Sequence, residues 1–99
     1  MYICCSGVWM KSYQFIVKGK VQGVYYRASI QKMASEADFN GYVMNLNNGA
    51  VEAAVSVVDD KQLQLFLNIL KAGSAYSHVE NIETRQISNQ FENGFVIYR

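Results

Sequence analysis

The sequence predicts one α+β domain in which two helices pack on one face of an antiparallel sheet, in the order β-α-β-β-α-β with a short fifth strand at the C-terminal end. Three observations predict this fold: two segments carry apolar residues at helical spacing, a hairpin signal separates them, and runs rich in strand formers flank both. The 99 residues allow one domain, and 51% of them are hydrophobic, which excludes a disordered chain. No stretch approaches the ~18 apolar residues that cross a membrane, so we expect no membrane partner.

The first strand is predicted from Tyr13 to Lys18, where strand-forming residues alternate until Gly19. A loop with two glycines, residues 19–24, follows it. The next apolar residues fall on one face of a first helix, namely Tyr26, Ile30, Met33, Ala34 and Ala37. Asn40 and Gly41 are expected to end this helix.

A hairpin is predicted next, with strands at Tyr42–Leu46 and Ala50–Val58. The turn between them, residues 47–49, has the sequence Asn-Asn-Gly. Asparagine and glycine tolerate the positive φ angles that tight hairpin turns require. The two strands are therefore expected to be neighbours in the sheet.

A second helix is predicted to begin at Asp59 or Asp60, because Asp59 with Gln62 three residues later matches a capping box. Its apolar stripe comprises Leu63, Phe66, Leu67 and Leu70. Gly73 is typical of the residue that follows a helix. Strands at residues 79–87 and 95–98, separated by a turn at 93–94, complete the order of a ferredoxin-like sandwich.

The domain is expected to span residues 11–99, with residues 1–10 as an N-terminal extension. Cys4 and Cys5 are adjacent, and a disulfide between neighbours is strained. Two cysteines are also too few for a disulfide framework, so we interpret them as free thiols in a reducing, cytoplasmic compartment. The sequence has neither a Cys-x-x-Cys pair nor a Cys/His cluster, so no metal is expected.

Charge is distributed unevenly along the chain. Residues 1–35 carry five basic side chains and no acidic one, whereas residues 36–99 carry four basic and eight acidic ones. The first third is thereby suited to attract an anion, although a chance clustering of lysines gives the same count.

The segment from Gly19 to Arg27 is a glycine-bounded loop that runs directly into a helix. Glycine allows successive backbone N–H groups to point inward and form a nest for an anion. The helix N-terminus adds about half a positive charge, and Arg27 can grip two oxygens at once. The segment thus predicts a phosphate cradle, with an ordinary strand–helix turn and a surface arginine as the alternative.

Asn45 stands near the end of the second predicted strand. A carboxamide can accept a hydrogen bond from a water and donate one to a phosphate oxygen, and it does not titrate. Asn45 can therefore hold a nucleophilic water over a bound phosphorus. The alternative is a strand-end asparagine that satisfies the backbone of the turn.

Two segments together resemble a known family. Residues 19–27 read G-x-V-Q-G-V-x-Y-R and resemble the acylphosphatase signature G-x-V-Q-G-V-x-F-R. Residues 41–45, with Asn48-Gly49 and Val51-Glu52 after them, are similar to the second motif of that family. The resemblance covers about residues 12–98. Tyr26 replaces the usual phenylalanine, and Gly73-Ser74 stands where the family often has Gly-Pro.

The resemblance implies hydrolysis of small acyl phosphates to a carboxylate and inorganic phosphate, with no metal and no other cofactor. The phosphate, as substrate group or as inhibitory product, would be bound by backbone N–H groups of Lys20, Val21, Gln22, Gly23, Val24 and Tyr25. Arg27 would be the essential phosphate ligand, and Asn45 would orient the attacking water. We further expect a monomer.

Two other functions compete with this prediction. RNA-recognition modules share the strand–helix order, but they place aromatic and basic residues on the third strand for base stacking. Residues 51–57, Val-Glu-Ala-Ala-Val-Ser-Val, offer neither, so no nucleic-acid partner is expected. A catalytically silent anion-binding or regulatory module of the same family is the second alternative. The presence of both Arg27 and Asn45 favours the active enzyme over the silent module.

His78, the single histidine, is interpreted as a surface or turn residue.

Overall fold

The computed structural model describes residues 10–98. Its elements follow the predicted order and are β1 (Lys11–Lys20), α1 (Tyr26–Glu36), β2 (Asn40–Asn45), β3 (Val51–Val57), α2 (Asp60–Ala72), β4 (His78–Ile87) and β5 (Phe95–Tyr98). The predicted N-terminal extension, with Cys4 and Cys5, lies outside the described residues apart from Met10.

The five strands form one sheet in the order β4-β1-β3-β2-β5. β1 pairs antiparallel with both β3 and β4, and β2 pairs antiparallel with β3. β5 runs parallel to β2, so the prediction of an antiparallel sheet is wrong at this edge and the sheet is mixed. The reason is that β4 runs opposite to β2, and the chain reverses direction as it crosses from β4 to the other edge of the sheet, so β5 runs the same way as β2.

Both helices pack on the same face of the sheet. The core joins buried residues of α1 and α2 to the inward residues of the strands: Phe15, Val17, Tyr26, Ile30, Val43, Val55, Phe66, Leu70 and Phe95. The Phe66 ring on α2 lies at its centre, with ring centroids 5.2 Å from Phe15, 5.4 Å from Phe39 and 5.7 Å from Phe95. Burial of these rings holds the helices against the sheet, since each large side chain contributes about 1.5–3 kcal/mol.

The end of α1 differs from the sequence prediction. The helix ends at Glu36, and Asp38 takes a positive φ of 60°. Asn40 and Gly41 do not end the helix but begin β2. Gly41 is needed there for close approach, because a Cβ at this position would lie 1.9 Å from the Ala54 carbonyl oxygen on β3.

The start of α2 confirms the predicted cap. The Asp59 carboxylate accepts a hydrogen bond from the Gln62 N–H at 2.9 Å. The Gln62 side-chain oxygen reaches back one residue further than a capping box requires and accepts from the Val58 N–H at 2.9 Å. Gly73 follows the helix with a φ of 53°, as expected.

Candidate active site

One cleft of about 420 Å³ lies where the β1–α1 loop, the first turn of α1 and the end of β2 meet. It is lined by Val21, Gly23, Tyr25, Tyr26, Arg27, Ala28, Asn45 and Ile97. The order of strands explains the meeting point: β1 and β2 both lie beside β3, so the loop after β1 comes close to the end of β2. β5 closes the cleft with Ile97.

The loop that precedes α1 has a backbone conformation suited to an anion. Gly23 has a φ of 73° and Tyr25 a φ of 62°, so left-handed residues stand on either side of Val24. Such alternation turns successive N–H groups toward one side and makes a nest. Among the hydrogen bonds formed within residues 10–98, none uses the backbone N–H of residues 22–25 as donor. Within the described part of the chain, the loop therefore has unpaired donors beside the cleft.

Arg27 is half-buried in the first turn of α1 and lines the cleft. In the part of the chain that the structure describes, its guanidinium forms no ion pair. The first turn of α1 has no acidic residue, and Tyr25, in the N-cap position, makes no side-chain capping bond. The positive end of the helix dipole is thus not neutralised by the helix itself, and it adds to the attraction that Arg27 exerts on an anion.

Asn45 is the last residue of β2 and lines the same cleft as Arg27. Its Oδ1 is buried and has no hydrogen-bond partner within residues 10–98. Leaving a buried acceptor unsatisfied costs about 1–3 kcal/mol, so such an atom marks a position where a water or a ligand supplies the donor. This oxygen accepts no hydrogen bond from the hairpin turn. The turn is instead stabilised by the Asn48 side chain, which accepts a hydrogen bond from the Ala50 N–H.

Gln22 links the loop to the hairpin that carries Asn45. Its Nε2 donates to the carbonyl oxygens of Leu46 at 2.7 Å and Ala50 at 2.8 Å. Leu46 and Ala50 flank the hairpin turn and are themselves joined by a backbone hydrogen bond of 2.9 Å. One amide group therefore holds the loop and the end of β2 in a fixed relation.

Two further contacts anchor the loop from the side of α2. Tyr26 stands where the resembled signature has phenylalanine, so its hydroxyl is an additional polar group. This hydroxyl is buried and donates to the Leu70 carbonyl oxygen at 2.6 Å. Burial raises the pKa of Tyr26 above its ordinary value, so the hydroxyl stays a donor at neutral pH. Ser74, in the α2–β4 connection, donates from its hydroxyl to the Val24 carbonyl oxygen.

The predicted site residues divide into two groups. Val21, Gly23, Tyr25, Arg27 and Asn45 line the cleft together. The side chains of Lys20, Gln22 and Val24 do not line it: Lys20 is exposed at the end of β1 opposite His78, Gln22 holds the hairpin, and Val24 is buried in the core. Binding of phosphate through the backbone of these three residues stays a prediction.

Sequence reasoning missed the structural roles of Gln22 and Ser74, and it missed Ile97 as part of the cleft wall. These residues make contacts between segments that are far apart in sequence, and local periodicity does not predict such contacts. His78 is exposed at the start of β4, as expected. Within the described range, no cluster of three His, Cys, Asp or Glu residues is arranged to hold a metal ion. No helix of residues 10–98 is long and apolar enough to cross a membrane.

Comparison with known proteins gives consistent relatives. The family model described as Acylphosphatase matches residues 13–97. The chain is 36% identical over 92 residues to the acylphosphatase of Borrelia garinii subsp. bavariensis, covering 90% of this chain and 99% of that protein. It is 42% identical over 83 residues to the acylphosphatase of Thermus thermophilus, covering 84% and 93%. The crystal structure of acylphosphatase from Bacillus subtilis superposes with a TM-score of 0.81 at 32% identity, covering 90% and 99%.

These matches extend over both segments that form the cleft, from the β1–α1 loop to the end of β2. They confirm the resemblance and the ferredoxin-like fold, and none of them favours a silent anion-binding module. The chain therefore belongs to the acylphosphatase family, and its reaction is the hydrolysis of acyl phosphates.

Proposed function

We propose that this chain hydrolyses small acyl phosphates in the cleft between the β1–α1 loop and the end of β2, without a metal ion. Backbone N–H groups of residues 20–25 and the Arg27 guanidinium bind the phosphoryl group, and Asn45 orients the attacking water. The observation that carries the proposal is the pairing in one cleft of an Arg27 without an ion-pair partner in residues 10–98 and a buried, unpartnered Asn45 Oδ1.

The reaction asks for positioning more than for acid–base chemistry. The water oxygen forms a bond to phosphorus while the bond from phosphorus to the carboxyl oxygen breaks. The electron pair leaves with the carboxylate, and the proton of the water passes to solvent. A carboxylate with a pKa of about 4 departs without protonation, so no general acid is needed.

Arg27 and the loop N–H groups supply the charge stabilisation. The negative charge of a phosphoryl group in transfer is spread over its equatorial oxygens, and preorganised donors stabilise that charge. Asn45 Oδ1 accepts a hydrogen bond from the water and thereby holds it in line with the leaving group. These groups account for the chemistry without a metal.

The test is hydrolysis of benzoyl phosphate in the presence of EDTA by the wild type, Arg27→Ala and Asn45→Ala. Removing one preorganised polar group typically costs ~10²–10³ in rate, and we expect losses of that size in both variants. Arg85→Ala and Asn68→Ala remove the same residue types from exposed positions on β4 and α2 and are expected to keep full activity. Circular dichroism checks that each variant is folded.

Two results would contradict the proposal. Activity that EDTA abolishes would assign the charge stabilisation to a metal. A wild type that binds inorganic phosphate through Arg27 but hydrolyses nothing would support the silent anion-binding module instead.

Alkyl phosphates should be poor substrates, because an alkoxide leaving group requires protonation or a metal.

We also propose that the protein is a monomer of 11.2 kDa located in the cytoplasm, and that inorganic phosphate is a competitive inhibitor. The location is supported by the adjacent cysteines, which are unsuited to a disulfide. Sedimentation equilibrium gives the mass, and a dimer at micromolar concentration would refute the monomer.

A further inference from the structure

The α2–β4 connection contacts the β1–α1 loop through a hydrogen bond of Ser74. The Ser74 Oγ donates to the Val24 carbonyl oxygen at 2.5 Å, across 50 positions of sequence. Ser74 is itself held, since its N–H donates to the Ser77 Oγ at 2.9 Å and that hydroxyl donates back to the Ser74 carbonyl oxygen at 3.0 Å. These two hydrogen bonds hold Ser74 in place independently of its bond to the loop.

The Val24 carbonyl and the Tyr25 N–H belong to one trans peptide plane, in which they point in opposite directions. A contact that fixes the carbonyl therefore fixes the N–H. Ser74 approaches from the connection to β4, whereas Asn45 ends β2, and these two strands lie on opposite sides of β1. With its carbonyl held toward Ser74, this peptide group turns the Tyr25 N–H away from Ser74, and the end of β2 with Asn45 lies on that other side of β1.

Tyr25 also needs such a restraint for its own conformation. It is a non-glycine residue with a φ of 62°, and its side chain is 76% exposed, so side-chain packing does little to hold it. Left-handed conformations at such residues persist only where surrounding contacts determine them. The Ser74 bond acts on the peptide group that immediately precedes Tyr25.

We propose that Ser74 is a positioning residue for acyl-phosphate hydrolysis, which orients the Tyr25 N–H toward the bound phosphoryl group through the Val24 carbonyl. The proposal rests on the proposed function, because it assigns the Tyr25 N–H to phosphate binding. Ser74 does not touch the substrate. Its effect falls on phosphate affinity, and it acts on the substrate and the transition state alike, since both carry the phosphoryl oxygens.

The experiment compares Ser74→Ala with Ser74→Thr, which keeps a hydroxyl, and with Tyr76→Phe, which removes an exposed hydroxyl from the same connection. We measure KM and kcat for benzoyl phosphate, the inhibition constant of inorganic phosphate, and thermal unfolding. Loss of one neutral hydrogen bond corresponds to about 3- to 10-fold in affinity. Ser74→Ala should raise KM and the inhibition constant by that factor with kcat nearly unchanged, and both control variants should resemble the wild type.

An amide-resolved phosphate titration by NMR gives a readout that a purely structural role would not move. In the wild type, phosphate should shift the Tyr25 amide proton downfield, and in Ser74→Ala that shift should shrink while those of other loop amides remain. A Ser74→Ala protein that is only less heat-stable, with unchanged KM and the same Tyr25 shift, would overturn the proposal.

Failure of the proposed function gives different results. A wild type that binds phosphate without hydrolysis would refute the hydrolytic mechanism, while the Tyr25 shift would still test Ser74. A wild type in which phosphate moves no loop amide would refute both.

Discussion

The two helices of this protein begin in opposite ways. α2 carries its own anion: Asp59 caps it through the Gln62 N–H, and Asp60 lies in its first turn. α1 has neither a side-chain cap nor an acidic residue in its first turn, and it places Arg27 there instead. The same backbone dipole is thus neutralised within the chain at one helix and left available at the other.

The difference shows how one helix N-terminus can be kept for ligand binding while another helix N-terminus in the same fold contributes to stability. A self-capped N-terminus stabilises the fold and has nothing left to offer a ligand. An uncapped N-terminus that adjoins a cleft gives up that stabilisation, and a bound anion restores it. The Asn45 Oδ1, which has no hydrogen-bond partner among residues 10–98, is likewise a group that this part of the chain leaves unsatisfied. Besides the removal of Arg27 or Asn45, three comparisons between variants test this contrast.

Giving α1 an anion of its own should produce the largest of these effects. Tyr25→Asp places a carboxylate beside the phosphate, and Tyr25→Asn is the neutral match; both residues tolerate a positive φ. Repulsion between partly exposed charges near 4 Å amounts to about 2 kcal/mol, or roughly 30-fold in affinity. We expect the phosphate inhibition constant of Tyr25→Asp to exceed that of Tyr25→Asn by this factor, and the gap to narrow with added salt. Equal constants would mean that the anion does not lie at this helix end.

Loosening the link between the loop and the hairpin should have an intermediate effect. Gln22→Met keeps the side-chain length but removes both hydrogen bonds to Leu46 and Ala50. Because small displacements of the reacting groups are costly, kcat should fall about 10-fold. Gln64→Met, at an exposed position of α2, is the control and should keep the wild-type kcat. A change in KM alone would show that Gln22 supports phosphate binding rather than the position of Asn45.

Removing the anion of α2 should affect stability alone. Asp59→Ala loses the cap, which costs about 1 kcal/mol and lowers Tm by ~4–8 °C in a domain of this size. Asp59→Asn retains an acceptor and should lose less. Calorimetry measures the change, and kcat/KM for benzoyl phosphate should be unaltered in both variants. A loss of activity without unfolding would show that the two helix ends are not independent.

The sequence allowed prediction wherever a residue acts on its immediate neighbours. The cap at Asp59, the turn at residues 47–49 and the stripe of Tyr26, Ile30 and Ala34 all depend on spacings of a few residues, and the structure confirms them. Gly41 misled the prediction because the glycine serves close contact with Ala54 on β3, which has no local signature. The parallel edge formed by β5 is likewise set by a long crossover.

For the candidate site, sequence motifs allowed prediction of which residues meet, while their catalytic roles stay a proposal. Arg27 and Asn45 belong to the two sequence motifs, and the structure places them in one cleft. The ties made by Gln22 and Ser74 could not be foreseen, since they join segments 24 and 50 positions apart. Side-chain hydrogen bonds of this kind depend on tertiary geometry that sequence pattern does not encode.

The wall contributed by β5 has a consequence for the order of events in folding. Ile97 reaches the cleft from the last strand along the chain, which pairs with β2 more than 50 positions earlier in sequence. Contacts of such long range are slow to form, because much chain must be closed into a loop first. The cleft is thus complete only after β5 has docked at the edge of the sheet. The rate at which enzymatic activity returns during refolding therefore measures the rate of that docking step.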